Sequence, residues 1–234
     1  MKTKKLFFFK KTLAVLIIAA LPFAFAACAK DGIDKRITDN ISDLRTDVYT
    51  ASSDDMSVTV ITGRHEQPYA VDGVSGSAKS DYTDISIKPA ELPASGQVYQ
   101  YTLKTGNKTH AGAFTPHPFG VTYYADLAVA LSGDAVLTIS SGDYKEEFTL
   151  QSQRTADMLS WEQALGAGYN AVKKQVGSLY ADSKFDGEVY VQFIGDPLQN
   201  GGGYFWYVAF VGGGNTYAVL MDPTSGRVLA AKTL

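Results

Sequence analysis

Tyr204-Phe205-Trp206-Tyr207-Val208-Ala209-Phe210-Val211, then Gly212-Gly213-Gly214-Asn215, then Thr216-Tyr217-Ala218-Val219-Leu220-Met221, is the stretch whose reading decides the fold of this 234-residue chain. Two runs rich in aromatic and β-branched residues flank a glycine-asparagine turn, which predicts a β-hairpin. In the first run Tyr204, Trp206, Val208 and Phe210 alternate with Phe205, Tyr207 and Ala209, so both faces of the strand are apolar. One face has to cover a helix. The other has to meet a second layer of the protein, a partner, or a flat ligand such as a glycan. Downstream, 222–226 reads as a tight turn and 228–231 as a further strand; upstream, 188–194 is a strand candidate. Before it, Ser160 and Gln163 have the form of a capping box, and Trp161, Leu165, Tyr169, Val172, Val176 and Leu179 fall on one side of the helix that begins there. Residues 154–234 are thus expected to form an α+β unit.

Farther upstream the texture changes to short alternating segments separated by turn residues. Strands are expected over 57–61, 83–88, 97–104, 108–114, 120–126, 135–140 and 144–150, with Thr105-Gly106-Asn107 and Ser141-Gly142-Asp143 as turns. Seven strands at this spacing predict an immunoglobulin-like β-sandwich over 51–153, an argument from architecture alone because the cysteine–tryptophan pairing of antibody-type domains is absent. Ahead of it, Ile33, Ile37, Ile41, Leu44 and Val48 recur at spacings of four, four, three and four, which predicts a helix over 31–49. On that helix Asp39, Asp43 and Asp47 share another face, read as solvated rather than metal-binding. The expected fold class is mainly β with an α+β part: a helix in 28–50, a sandwich, then a helix with an antiparallel sheet.

The chain opens with five lysines and no acid in its first 11 residues, followed by an apolar run over 13–27. That is the pattern of a secretory signal, and the run is shorter than the roughly 20 residues of a spanning helix. Phe25-Ala26-Ala27-Cys28 resembles a bacterial lipobox, which makes Cys28 the expected site of lipidation and 1–27 the removed signal; cleavage within 24–27 without lipid and an uncleaved anchor are the alternatives. The expected address is the extracytoplasmic face of the cell membrane. Five of the 21 basic residues precede Cys28 and none of the 24 acidic ones does, so removal of 1–27 moves the formal net charge from -3 to -8. Such a surface disfavours nucleic acid as a partner and leaves membrane attachment to the lipid. A single cysteine excludes a disulfide framework and a cysteine-rich zinc site.

The order helix, then Trp206-Tyr207-Val208-Ala209-Phe210, then Ala218-Val219-Leu220-Met221-Asp222-Pro223-Thr224-Ser225-Gly226-Arg227-Val228-Leu229 resembles a PepSY domain over about the last third of the chain. The resemblance implies a helix packed on an antiparallel sheet, a setting at or outside the membrane, and restraint or binding of a secreted peptidase.

Catalytic signatures fail on spacing or context. There is no Gly-x-Ser-x-Gly elbow and no zincin motif after His65, and the glycines around Gly166 and Gly168 lie inside a helix, where close packing on the sheet explains them better than a dinucleotide. His65, His110 and His117 are not aimed at one point by their spacing, so neither a metal nor another cofactor is expected. The polar loop after the strand at 57–61 offers Arg64, His65, Glu66 and Tyr69 as candidate binding residues, and the aromatic strand offers Trp206 and Tyr207. The chain is therefore read as a binding protein and not an enzyme. A peptidase or other surface protein is one expected partner; a cell-wall glycan or small ligand is the alternative.

Overall fold

The computed structural model describes residues 33–76, 78–91, 98–196 and 202–234. Residues 1–27, expected to be a signal, and Cys28 lie outside these residues. A one-turn helix α1 (Lys35–Thr38) leads into three long strands, β1 (Ile41–Ser52), β2 (Met56–Glu66) and β3 (Lys79–Pro89). Then come β4 (Gln100–Thr105), β5 (Lys108–Ala113), β6 (Thr115–Pro116), β7 (Tyr123–Leu127), β8 (Ala135–Ser141) and β9 (Tyr144–Ser152). Helix α2 (Trp161–Val176) follows, with the short pair β10 (Tyr180–Ala181) and β11 (Lys184–Phe185) after it. The chain closes with β12 (Glu188–Gly195), β13 (Tyr204–Gly212), β14 (Asn215–Met221) and β15 (Val228–Thr233). The fold is mainly β with an α+β part, as the sequence indicates.

The helix expected over 31–49 is corrected. Asp34 caps α1 through its side chain, the helix stops at Thr38, and Ile41 onward is the central strand of the molecule. β1 pairs antiparallel with β2, parallel with β12 over 41–45, and antiparallel with β9 at Tyr49 and Thr50. The physical reason is arithmetic: a spacing of four lies on one side of a 3.6-residue helix and equally on one side of a period-2 strand. Ile41, Thr46, Val48 and Thr50 are β-branched, and strand partners on both sides settle the ambiguity. Asp43 and Asp47 accordingly lie on a strand.

Two hydrophobic cores meet at β1. The first lies inside a sandwich, where Val58, Val60, Ile85 and Ile87 face Leu103, Leu137, Ile139 and Phe148. The second lies between α2 and the closing meander, where Leu165, Val172 and Val176 cover Val191, Phe193, Trp206, Val208 and Val219. Tyr49 belongs to the first core and its neighbour Val48 to the second, because consecutive strand residues point to opposite faces. One continuous sheet, in the order β15-β14-β13-β12-β1-β2-β3-β7-β6, runs through both.

The capping box of α2 is present: the Gln163 amide donates to Ser160 Oγ at 3.3 Å, and the Ser160 amide donates to Gln163 Oε1 at 2.8 Å. Gly168 sits where a Cβ would lie 2.8 Å from Val208 Cβ, so this glycine is the close contact between helix and sheet. A dinucleotide loop is not needed to explain it.

Candidate functional site

Register places side chains of seven strands in two adjacent cross-strand rows on the face of the sheet turned away from α2. One row runs Ala230, Leu220, Tyr207, Gln192, Arg45, Gly63, Tyr82. The other runs Lys232, Ala218, Ala209, Tyr190, Asp43, His65, Ser80. Residues aligned across strands share a face, and neighbouring strands lie about 4.8 Å apart. The β13–β14 end of this face is apolar and half-exposed, with Phe205, Tyr207 and Leu220, and belongs to neither core. The sandwich meets the meander edge to edge through β1 and β12, which leaves that apolar end without a cover from either core.

The middle of the face is polar and held in place. Tyr82 of β3, paired with Gly63, reaches across β2 and donates its hydroxyl to Asp43 Oδ1 of β1 at 3.1 Å. Gln192 Nε2 donates to the other carboxylate oxygen. Asp43 is 3% exposed. Burial raises its pKa, opposed by the Gln192 hydrogen bond, the Arg45 charge and the Tyr82 hydroxyl. Burial likewise raises the Tyr82 hydroxyl, with the Asp43 charge adding to it. Arg45 stands in the adjacent row, its Nε buried and without a hydrogen-bond partner among the described residues. Asp84 and Asp126 face each other across β3 and β7; burial raises Asp84, Arg45 opposes that rise, and Asp126 adds to it.

The β2–β3 loop forms the wall of this site. The His65 ring lies 4.7 Å from the Tyr82 ring and 5.5 Å from the Tyr69 ring, centroid to centroid, and Tyr69 is 48% exposed. The Tyr190 hydroxyl donates to Glu188 Oε2 at 2.9 Å. Glu66 is buried, accepts the Gly76 amide and stands 3.8 Å from Lys79 Nζ, so it pins the loop and is not presented to a ligand.

Of the sequence candidates, His65 and Tyr69 converge and Tyr207 lines the same face. Arg64 alternates to the other side of β2 and pairs with Asp81 at 3.4 Å. Trp206 is fully buried under α2, with Nε1 donating to the Leu159 carbonyl at 3.2 Å; it is a core residue. Sequence reasoning missed Asp43, Arg45, Tyr82 and Gln192. The signal that finds the first two is their alternation on a strand, hidden while 31–49 is read as a helix.

Among the described residues no group of three or more His, Cys, Asp or Glu side chains is placed to hold a metal ion, and no helix is long and apolar enough to cross a membrane. No family model matches the chain, and neither a curated protein nor a solved structure matches it.

Proposed function

We propose that this protein is a lipoprotein held by Cys28 at the extracytoplasmic face of a bacterial membrane, acting by binding a polypeptide partner through strand addition to β15. The partner class implied by the PepSY resemblance is a secreted peptidase. The observation that carries the reading is the edge of the sheet. All six residues of β15 are exposed, and β14 is the strand that pairs with it. Thr216 and Leu234 exchange both backbone hydrogen bonds, at 2.9 and 3.0 Å. Hydrogen-bonded pairs alternate along an antiparallel ladder, so the N–H and C=O of Ala231 and Thr233 point away from β14. Proteins blunt such edges with charge, proline or a bulge; a register shift leaves Leu229 as a bulge at the start of β15, but Ala230, Ala231 and Thr233 beyond it carry none of these, and Lys232 is the one charge in the strand. An open, apolar, antiparallel edge is what an extended segment of another protein pairs with.

The test is slowing of the peptidases secreted by the host. The full chain is expected to slow them, and Ala231→Pro to lose that effect without a change in thermal midpoint, because its N–H lies off the β14 ladder. Ala230→Pro serves as the contrast, since its N–H belongs to the ladder and its loss costs stability. Equal slowing by wild type and Ala231→Pro, or no slowing by either, defeats the proposal.

A further inference from the structure

The polar face beyond β15 asks for a different kind of ligand. A polypeptide strand docks on an edge through its backbone; a ligand lying on a sheet face is read by side chains. Here those side chains are planar and mixed in character. Arg45 offers donors, and Gln192 and His65 both donors and acceptors, within two adjacent rows over the buried Asp43. Tyr69 at the wall and Tyr207 along the Gln192–Arg45 row add aromatic surface.

Charge narrows the class. Asp43, Asp84 and Asp126 surround the position and repel an anion, while Arg45 at the centre of its row repels a cation. None of the four ion pairs among the described residues includes Arg45, so it acts on Asp43 and Asp84 through its field without a direct pair. What suits alternating donors and acceptors beside aromatic rings is an uncharged molecule whose groups both donate and accept and which also has an apolar side. Sugar hydroxyls meet the first condition and the C–H face of a pyranose the second. The elements are also set before any ligand arrives: Tyr82 and Gln192 hold Asp43, and the His65 ring rests between Tyr69 and Tyr82. Such preorganisation lowers the ordering cost of binding.

We infer that this face, from Tyr207 through Gln192 and Arg45 to His65 and Tyr69, is a binding site for a neutral saccharide chain. The site is independent of strand addition at β15.

Isothermal titration calorimetry of the full chain with chitotetraose, cellotetraose and mannotetraose tests it. At least one neutral tetrasaccharide is expected to bind, with affinity falling by about tenfold or more in Tyr69→Ala and in Arg45→Gln. Arg64→Gln, on the other side of the same strand, is expected to bind as wild type. Tyr69 is exposed, so its variant keeps the test sound even where Arg45→Gln lowers stability. Ala231→Pro is expected to retain sugar binding, which separates failure of this site from failure of the β15 edge. Binding to none of the three sugars overturns the inference. So does binding only to uronic-acid or sulfated chains, or binding indifferent to Tyr69→Ala.

Discussion

At Gly63 a Cβ would lie 2.1 Å from the Leu44 carbonyl oxygen and 2.9 Å from Arg45 Cα, so the β1 backbone, irregular between Arg45 and Asp47, presses directly on β2. Across this contact Tyr82 reaches Asp43 two strands away. Asp43 carries a testable consequence. Its folded pKa is raised above the ordinary value of 3.8 by burial, so between those two values the folded state binds more protons than the unfolded one. Stability therefore falls as pH rises through that window, the reverse of the usual salt-bridged carboxylate. Asp43→Asn keeps an acceptor for Tyr82 and removes the titration, with the Gln192 amide free to turn and offer its oxygen. Urea unfolding from about pH 3 to about pH 7 is expected to show wild type losing ground to Asp43→Asn as pH rises. A constant difference between the two across the range would contradict this. None of these partnerships follows from the local sequence, because Asp43 meets Tyr82 and Gln192 only across strands distant along the chain.

Within elements, α2 separates what propensity decides from what packing decides. Gly166 and Gly168 are both helical, and alanine is better than glycine in a helix interior by about 1 kcal/mol. At Gly166 an added methyl meets Ile33 at 3.8 Å, an ordinary contact, so Gly166→Ala is expected to raise stability by about that amount. At Gly168 the methyl meets Val208 at 2.8 to 3.1 Å on three atoms. Val208 is fully buried and β-branched, so it has no rotamer to escape into. Overpacking costs about 1–3 kcal/mol and outweighs the propensity gain. Gly168→Ala is expected to lower the urea midpoint with an unchanged denaturant slope, and a raised midpoint would show that the helix can lift off the sheet. The capping box and the amphipathic side of α2 were legible because both are local signals. The segment 41–52 was not, because its apolar spacing satisfies two periods and only its strand partners choose between them.

Across the molecule, the parallel pairing of β1 with β12 makes one sheet out of two layers, each with its own core. A shared central strand ties the cores more tightly than a side-chain interface would, since unfolding either one strips hydrogen-bond partners from β1. The described residues are therefore expected to unfold in one transition. Both tryptophans lie at the second core, so their fluorescence follows that core, while far-ultraviolet circular dichroism follows the whole. The two urea curves are expected to coincide; separate midpoints would mean that the cores unfold independently. The sequence by itself determined the class, most of the strands, the main helix with its cap, and the apolarity of both faces of the 204–210 strand, because periodicity and turn chemistry are written within a few residues. Only the tertiary structure decided that β1 is the central strand, that Trp206 is core while Tyr207 is half-exposed, and that Asp43 and Arg45 join His65 and Tyr69. Those outcomes depend on pairing between strands as far apart as β1 and β12, and no local pattern encodes which strands will meet.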